Sequence, residues 1–297
     1  MPEKIVVVGA GLMGSGIAQI FALANFETVL VDTCDDILDR AMKSINDSIE
    51  TGVRLGKTSP TQASNARFCM TVSTALAASA EGAALLVETA TERLALKQDI
   101  IREADARLPT DAIIATNTSA LSVTEIATAS ADPSRLVGMH FFNPVPKMKL
   151  VEIVLGLATR KNVVERTRAY AHAIGKQSIV VNEAPGLTTS RMSVLLGNEA
   201  MQMLAEGTAT AEDIDTALRL GFNHPMGPLE TGDLTGWDTR LAVLRYLHQT
   251  LGDRFRPHPL IIKMVAAGRL GRKSGHGIYR YENGQRVPGS GMRGSEI

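Results

Sequence analysis

His140 and Glu152 are the two side chains whose types and spacing best suit acid–base chemistry in this chain. They stand 12 residues apart, each in a strand-like apolar run (LVGMH and LVEIV). An imidazole can accept a hydroxyl proton near neutral pH and return it, and a carboxylate beside it fixes the tautomer and stabilises the imidazolium. The pair predicts proton transfer at a substrate hydroxyl. The structural alternatives are a packed core histidine, and an ion pair of Glu152 with Lys147 or Lys149.

A second chemical feature is the opening segment KIVVVGAGLMGSGIA, which places Gly9, Gly11 and Gly14 between a β-branched run and a helical apolar pattern. In this strand–turn–helix context, a GxGxxG loop binds dinucleotides. The first glycine permits the turn, the second admits a pyrophosphate and the third allows the helix to pack against the strand. We expect Leu12 and Met13 to contribute to the same cofactor site, because amides at a helix N-terminus hold phosphates.

Asp32 selects between the nicotinamide cofactors. It ends the second apolar run, TVLVD, 18 residues beyond Gly14. A carboxylate there accepts hydrogen bonds from the adenosine ribose and repels a 2′-phosphate. The sequence therefore predicts NAD rather than NADP.

Further polar residues follow the other strand-like runs. In an open parallel sheet, ligands bind outside the carboxyl ends of the strands, so these residues should collect at one rim. The residues placed there are Thr91, Glu92, Lys97, Asn117, Thr118, Ser119, His140, Asn143 and Glu152.

Two of these rim residues have a structural alternative. The Ser119 hydroxyl would hold the substrate oxygen, but it could instead cap a helix that starts near Leu121. Asn143 would bridge cofactor and substrate, but an asparagine before Pro144 also suits an Asx turn. Their position at the rim favours the functional interpretation.

The elements that must position these residues alternate between strand and helix along the first 183 residues. This alternation predicts a Rossmann-type, doubly wound α/β fold with a mostly parallel sheet. Between Leu136 and Val154, two strand-like pieces flank a link too short for a helical crossover, which predicts an antiparallel pair. The strand-like runs are Leu85–Val87, Ile113–Ala115, Leu136–His140, Leu150–Val154 and Ser178–Val181, and the helical stretches between them include Asp35 onward (with Asp35 as the N-cap), Glu92–Leu108 and Val163–Ile174.

The character of the sequence changes near Pro185-Gly186, where a turn signal ends the alternation. We predict an NAD-binding domain over residues 1–183 and an all-helical domain over 184–282 that binds substrate and dimerises. Residues 283–297 are polar and rich in glycine, so we predict a disordered tail there. Trp237 is expected to pack in a core or a dimer interface.

Composition narrows the class of protein. Lys plus Arg equals Asp plus Glu at 31 each, so no net field attracts nucleic acid or a membrane surface. We find no apolar run near the roughly 20 residues that a membrane span needs, and the first strand begins too early for a signal peptide. The two cysteines form no CxxC pair and no histidines have metal-ligand spacing. We expect a cytoplasmic globular protein without a metal.

The segments GAGLMGSGIA, TNTS, HFFNP, VEIV, EDID, HPMGPLE and GRKSGHGIY together resemble the short-chain L-3-hydroxyacyl-CoA dehydrogenase family, with the bacterial 3-hydroxybutyryl-CoA enzymes nearest in appearance. The resemblance covers residues 4 to 281. It implies NAD-dependent oxidation of an (S)-3-hydroxyacyl-CoA and a homodimer formed through the helical C-terminal domain. The implied catalytic residues are His140, Glu152 and Ser119, the implied NAD contacts Asp32, Glu92, Lys97 and Asn143, and the implied CoA contact Ser48.

Two positions depart from the family pattern. Ser190, before Arg191, stands where the family carries an active-site asparagine; we expect it to bind substrate, but with a shorter side chain that lacks the amide's second group. Leu55 stands where some relatives have a CoA-contacting lysine, although Arg54 and Lys57 are near in sequence. The departures concern the acyl-CoA side of the site.

The resulting hypothesis is reversible oxidation of a 3-hydroxyacyl-CoA, with 3-hydroxybutyryl-CoA as substrate, NAD as hydride acceptor and His140 as general base. An alternative enzyme on the same fold would oxidise a free hydroxy acid of the gulonate or carnitine type. A second alternative is a non-catalytic NAD-binding relative of the crystallin kind. The intact set of His140, Glu152 and Ser119 argues against the last.

Overall fold

The computed structural model describes residues 2–293, and the chain separates into two compact units after Glu183. The N-terminal unit is built on one 8-stranded sheet in the order β3-β2-β1-β4-β5-β6-β7-β8. The strands are β1 Lys4–Val8, β2 Glu27–Val31, β3 Met70–Ser73, β4 Leu85–Glu88, β5 Ile113–Thr116, β6 Leu136–Phe141, β7 Leu150–Leu155 and β8 Gln177–Asn182.

All neighbouring strands of this sheet are parallel except β6 and β7, which pair antiparallel. The predicted doubly wound, mostly parallel sheet is therefore confirmed, together with the antiparallel pair between Leu136 and Val154. The connecting helices are α1 Leu12–Leu23, α2 Asp35–Arg54, α3 Pro60–Cys69, α4 Leu76–Ala80, α5 Leu94–Asp105, α6 Val123–Ala127 and α7 Lys161–Ala173.

The core of this unit explains why the central strands read as unbroken apolar runs. Ile5, Val7 and Leu85 are fully buried, as are Ile17 and Phe21 on the inner face of α1. Strands covered by helices on both faces have no solvent side and so show no alternation. The short strand β3 was not apparent in the sequence, because it lies at the sheet edge and only Met70 of its residues is buried.

Helix α2 begins one residue earlier than predicted, because Asp35 was expected to be its N-cap. Asp35 is its first helical residue and Cys34 occupies the N-cap position, without a side-chain cap. Asp35 and Asp36 therefore stabilise the first turn through their charge near the positive end of the helix dipole.

The C-terminal unit is helical, as predicted: α8 Thr189–Ala205, α9 Ala211–Gly221, α10 Pro228–Thr235, α11 Trp237–Leu251 and α12 Pro259–Ala266. Trp237 is fully buried in its core, and its indole Nε1 donates to Asp233 at 2.7 Å. The same carboxylate accepts the backbone N–H groups of Ile278 and Tyr279, which fixes the segment after α12. None of the helices within residues 2–293 is long and apolar enough to cross a membrane.

The prediction of a disordered tail over residues 283–297 is wrong for residues 283–293. A small hairpin of β9 (Tyr281–Glu282) and β10 (Gln285–Arg286) spans the start of this segment. Met292 is only 3% exposed, and its backbone N–H donates to Ile278 at 2.9 Å. The segment is also held by an ion pair of Arg286 with Glu230 at 3.1 Å and by the Gly291 N–H, which donates to Glu212 at 2.8 Å. These contacts anchor a segment whose composition is polar. Residues 294–297 lie outside the described residues.

Candidate active site

The glycine loop between β1 and α1 has the geometry of a phosphate cradle. Gly9 has φ +101, a conformation that side chains rarely adopt. A Cβ on Gly14 would collide with the carbonyl oxygen of Gly9, so the helix can approach the strand only because residue 14 lacks a side chain. A Cβ on Gly11 would meet no protein atom within 4 Å, so Gly11 faces the open space where a ligand would lie.

The first turn of α1 lies at this opening. Gly11 is its N-cap and provides no side-chain cap, and the first turn carries no acidic residue. Leu12 is 73% exposed and Met13 is half-buried, so the backbone of the first turn is reachable from outside. Exposed amides at the positive end of a helix dipole suit a pyrophosphate.

Asp32 directly follows β2, and its carboxylate is fixed beside the glycine loop. Its Oδ2 accepts the backbone N–H of Ala10 at 2.7 Å, and its Oδ1 accepts that of Thr33 at 2.7 Å. The remaining lone pairs of a partly exposed carboxylate can accept the two hydroxyls of a ribose. The geometry supports the predicted preference for NAD.

Glu88 and Lys97 form a buried ion pair below the rim. Glu88 ends β4, and the Lys97 Nζ on α5 lies 3.0 and 2.9 Å from its two carboxylate oxygens. Nζ also donates to the carbonyl of Ala90 at 3.0 Å, and the Lys97 side chain is only 1% exposed. In this structure the Lys97 ammonium binds Glu88 and the carbonyl of Ala90. A direct contact of Lys97 with NAD stays a prediction.

Glu92 reaches from the loop after β4 to the loop after β5. Its Oε1 accepts the hydroxyl of Thr118 at 2.6 Å and the backbone N–H groups of Ser119 and Ala120 at 2.9 and 3.1 Å. Burial raises the pKa of Glu92, but the Thr118 hydroxyl, the Lys97 charge and the Ser119 N–H outweigh it and lower the pKa overall. Glu92 is therefore an ionised carboxylate that holds the Ser119 loop.

Ser119 itself is exposed at this loop. The alternative that it caps the next helix does not describe the structure, because Ser122 is the N-cap of α6 and accepts the N–H of Glu125 at 3.0 Å. The Ser119 hydroxyl is therefore not used in capping that helix.

His140 and Glu152 are register partners in the antiparallel pair β6–β7. The imidazole Nδ1 lies 2.7 Å from Oε2 of Glu152, whose side chain is fully buried. His140 is 7% exposed and its ring packs against Phe142, with 4.6 Å between ring centroids. Burial and pairing coexist at this histidine. Lys147 and Lys149 are exposed, whereas Glu152 contacts the histidine.

The loop after β6 begins at Asn143, which is exposed and precedes a cis peptide bond to Pro144. Asn143 lines a cleft of about 490 Å³ together with Gly11, Leu12 and Ser48. The structure thus places Asn143 next to the glycine loop. Nearby, the side-chain oxygen of Asn117 accepts the N–H of Phe141 at 2.9 Å and ties the ends of β5 and β6 together.

A second cleft of about 690 Å³ adjoins the first, and Ser48 lines both. Four lysines and one aspartate line it, together with Leu55; the charged residues are Asp47, Lys57, Lys147, Lys149 and Lys176. This cleft is strongly positive although the whole chain has no net charge. Such a surface attracts anionic groups.

Ser190 belongs to the C-terminal unit, where it is the second residue of α8 and half-buried. The other predicted site residues belong to the N-terminal unit. They lie in the loops after β1, β2, β4, β5 and β6, on the strands β6 and β7, and on the helices α1, α2 and α5.

Sequence reasoning overlooked two buried charged residues, Glu88 and Lys176. The signal for Glu88 was a charged residue at the end of an otherwise apolar strand. Lys176 donates to the carbonyls of Val145 and Met148 at 2.5 Å each and fixes the loop after Asn143; burial lowers its pKa. No sequence pattern points to that contact.

Comparison with known proteins agrees with this geometry. The family profile for the 3-hydroxyacyl-CoA dehydrogenase NAD-binding domain matches residues 4–184, and the profile for the C-terminal domain matches residues 186–281. The chain is 41% identical to a probable 3-hydroxybutyryl-CoA dehydrogenase of Bacillus subtilis, over 94% of this chain and 98% of that protein. It is 39% identical to the 3-hydroxybutyryl-CoA dehydrogenase of Bradyrhizobium diazoefficiens, over 96% and 98% of the two chains.

A solved structure is similar over the same range. The crystal structure of (S)-3-hydroxybutyryl-CoA dehydrogenase from Ralstonia eutropha superposes with a TM-score of 0.90 at 37% identity, covering 95% of this chain and all of that one (100%). The likeness extends over both units.

Proposed function

Because this chain belongs to the 3-hydroxyacyl-CoA dehydrogenase family, we propose that it interconverts (S)-3-hydroxybutyryl-CoA and acetoacetyl-CoA, with His140 as the general base. It is an NAD-dependent oxidoreductase, as its family is. The substrate rests on the names of relatives at about 40% identity. The observation that carries the proposal is the His140–Glu152 pair on the sheet that also carries the dinucleotide cradle.

The residues present fit the cofactor. Gly11 leaves open space for a pyrophosphate, the uncapped start of α1 offers amides, and Asp32 is oriented for a ribose. When bound there, NAD would supply the acceptor for the hydride of the hydroxyl-bearing carbon. Every other task in the reaction falls to side chains of this chain.

His140 is proposed to take the hydroxyl proton. With Nδ1–H donating to Glu152, the lone pair of the neutral imidazole lies on Nε2, which is then the basic atom. The imidazolium that forms is stabilised by the adjacent buried carboxylate. In the reverse direction the same nitrogen returns the proton to the carbonyl oxygen of the 3-ketoacyl group.

Ser119 is proposed to hold the substrate oxygen and Asn143 to bridge substrate and cofactor. The Glu92 carboxylate fixes the backbone on which Ser119 stands, so its exposed hydroxyl has a defined position. Such fixed donors lower the barrier, because they need no reorganisation during the reaction.

The phosphates of CoA are proposed to bind in the positive cleft beside Ser48. Leu55 supplies no charge there, but Lys57, Lys147 and Lys149 line the same cleft. These three lysines are proposed to supply the positive charge that Leu55 lacks. Ser190 is proposed to contact the substrate.

The homodimer is proposed to form through the C-terminal unit. Three large apolar side chains on α8 are exposed: Met192 (61%), Leu195 (40%) and Leu196 (43%). Sedimentation or light scattering of wild type and of a Leu195→Glu/Leu196→Glu variant would test this, with a monomeric wild type contradicting it.

One assay tests the proposed reaction: NADH oxidation with acetoacetyl-CoA, with longer 3-ketoacyl-CoAs and with free acetoacetate. We expect turnover of acetoacetyl-CoA and none of the free acid. Turnover of the free acid alone would favour a hydroxy-acid dehydrogenase. NADH binding without turnover of any of them would favour a non-catalytic relative.

A further inference from the structure

The Glu88–Lys97 pair is buried at the point where the substrate-facing loops begin. Removing an ion pair from water is costly unless hydrogen bonds satisfy the remaining atoms. Here they do: the carboxylate of Glu88 also accepts the N–H of Ala90 at 2.6 Å and the hydroxyl of Thr116 at 2.7 Å. Glu88 and Thr116 are register partners in β4 and β5, so the pair locks the ends of both strands.

The pair also binds both backbone polar groups of one residue, Ala90. Glu88 accepts the N–H of Ala90, and Lys97 donates to its carbonyl at 3.0 Å. The same Nζ lies 3.3 Å from Oε2 of Glu92. The loop between β4 and α5 is thereby fixed at Ala90 and at Glu92.

Glu92 in turn fixes the loop after β5. Its Oε1 accepts the Thr118 hydroxyl and the backbone N–H groups of Ser119 and Ala120. We propose that Glu88 and Lys97 are positioning residues, which set the place of the Ser119 hydroxyl through Glu92. This inference rests on the proposed role of Ser119 toward the substrate oxygen.

The arrangement also explains why Glu88 and Lys97 are charged residues. The Lys97 ammonium lies within ion-pair distance of both carboxylates, 2.9 Å from Oε2 of Glu88 and 3.3 Å from Oε2 of Glu92. The two oxygens of a carboxylate can accept several N–H and O–H donors at once. An apolar pair in the place of Glu88 and Lys97 would be equally stable in many proteins, but it would leave Glu92 without its cation.

A matched control exists in the same unit. Asp105 and Arg135 form another buried ion pair, with both side chains 7% exposed. Arg135 donates to the carbonyl of Pro109, which precedes β5, whereas Ser119 follows β5. The control pair therefore lies at the opposite end of this strand from Ser119. Its removal should affect stability without affecting the loop that carries Ser119.

The test compares the double variants Glu88→Gln/Lys97→Met and Asp105→Asn/Arg135→Met. Both members of each ion pair are replaced, so that neither variant leaves one of the two charges buried without its partner. Backbone amide hydrogen exchange over residues 117–121 is the first readout and needs no activity. We expect the amides of Ser119 and Ala120 to exchange at least tenfold faster in the first variant than in the wild type. In the control variant their exchange rate should not increase. Equal protection in both variants would overturn the proposal.

Kinetics provide the second readout. We expect kcat/KM for acetoacetyl-CoA to fall roughly 10- to 100-fold in Glu88→Gln/Lys97→Met, because small displacements of a positioned group have effects of this order. In a Ser119→Ala background, the same change should cost less than about threefold further, because the loss passes through Ser119. A fully additive loss would show that the pair acts elsewhere.

The two proposals fail in different ways. A wild-type protein that does not reduce acetoacetyl-CoA refutes the proposed function, whereas the exchange measurement on residues 117–121 still decides the positioning role.

Discussion

His140 and Glu152 face each other across two antiparallel strands, with 2.7 Å between Nδ1 and Oε2. Every other neighbouring pair in the sheet is parallel. The reversal of direction at β7 brings the carboxylate to the imidazole within one short hairpin. The chain thus attaches an acid–base pair to a parallel sheet that otherwise supplies a dinucleotide cradle.

Replacing His140 by alanine should lower kcat at least 100-fold, because loss of a general base typically costs about 10²–10⁴ in rate. NADH affinity, measured by fluorescence titration, should change little, since the glycine loop and Asp32 are untouched. His172→Ala, an exposed histidine on α7, is the matched control and should retain wild-type turnover. Near-normal kcat in His140→Ala would refute the assignment.

Asp32 should make NADH the preferred cofactor by a wide margin in kcat/KM. In Asp32→Ser, we expect the ratio of NADH to NADPH efficiency to fall at least about tenfold, since the repulsion of the 2′-phosphate is removed. Asp39→Asn, at an exposed site on α2, should leave the ratio unchanged. Equal efficiencies with the two cofactors in the wild type would contradict the role of Asp32.

Glu92 should make the stability of the protein depend on pH in a defined window. Its folded pKa is lowered from 4.5, so its ionisation contributes stability that is complete above about pH 4.5 and is lost as the pH falls through the lower folded value. The Tm difference between wild type and Glu92→Gln should therefore be largest near neutral pH and shrink below pH 4.5. Glu165→Gln, at an exposed site on α7, should show no such difference. A Tm difference that grows on acidification would overturn this prediction.

Lys147 and Lys149 should matter to the CoA moiety rather than to the chemistry. In Lys147→Ala/Lys149→Ala, KM for acetoacetyl-CoA should rise roughly tenfold, while kcat stays within about twofold, because the lost contacts are uniform binding. An acetoacetyl thioester of N-acetylcysteamine, which lacks phosphates, should show no change. Lys161→Ala, at an exposed site, serves as the control. Equal losses with both thioesters would refute a phosphate role.

Much of this arrangement could be predicted because it follows from chain direction. Parallel strands end on the same side of a sheet, so the order of the elements alone places Asp32, Ser119 and His140 at a common rim. The pairing of His140 with Glu152 followed from a link too short for a crossover. These inferences need only the order of the elements.

The rest depends on packing that no local pattern encodes. Lys97 was placed correctly on α5, but its burial against Glu88 depends on how that helix lies on the sheet. The C-terminal segment is held by contacts with residues far away in sequence, among them the burial of Met292 and the ion pair of Arg286 with Glu230. The edge strand β3 is too short and too exposed for its periodicity to be recognised.

The Thr89 hydroxyl donates to the carbonyls of Val8 and Gly9, at 2.9 and 3.0 Å, across 81 and 80 residues of sequence. The His140–Glu152 contact closes a loop of only 12 residues. Closing the longer loop costs more chain entropy, so the cradle is assembled only when distant parts of the chain have met. Cofactor affinity therefore depends on the cooperative folding of the whole N-terminal unit. The acid–base pair, in contrast, joins two strands of a single hairpin.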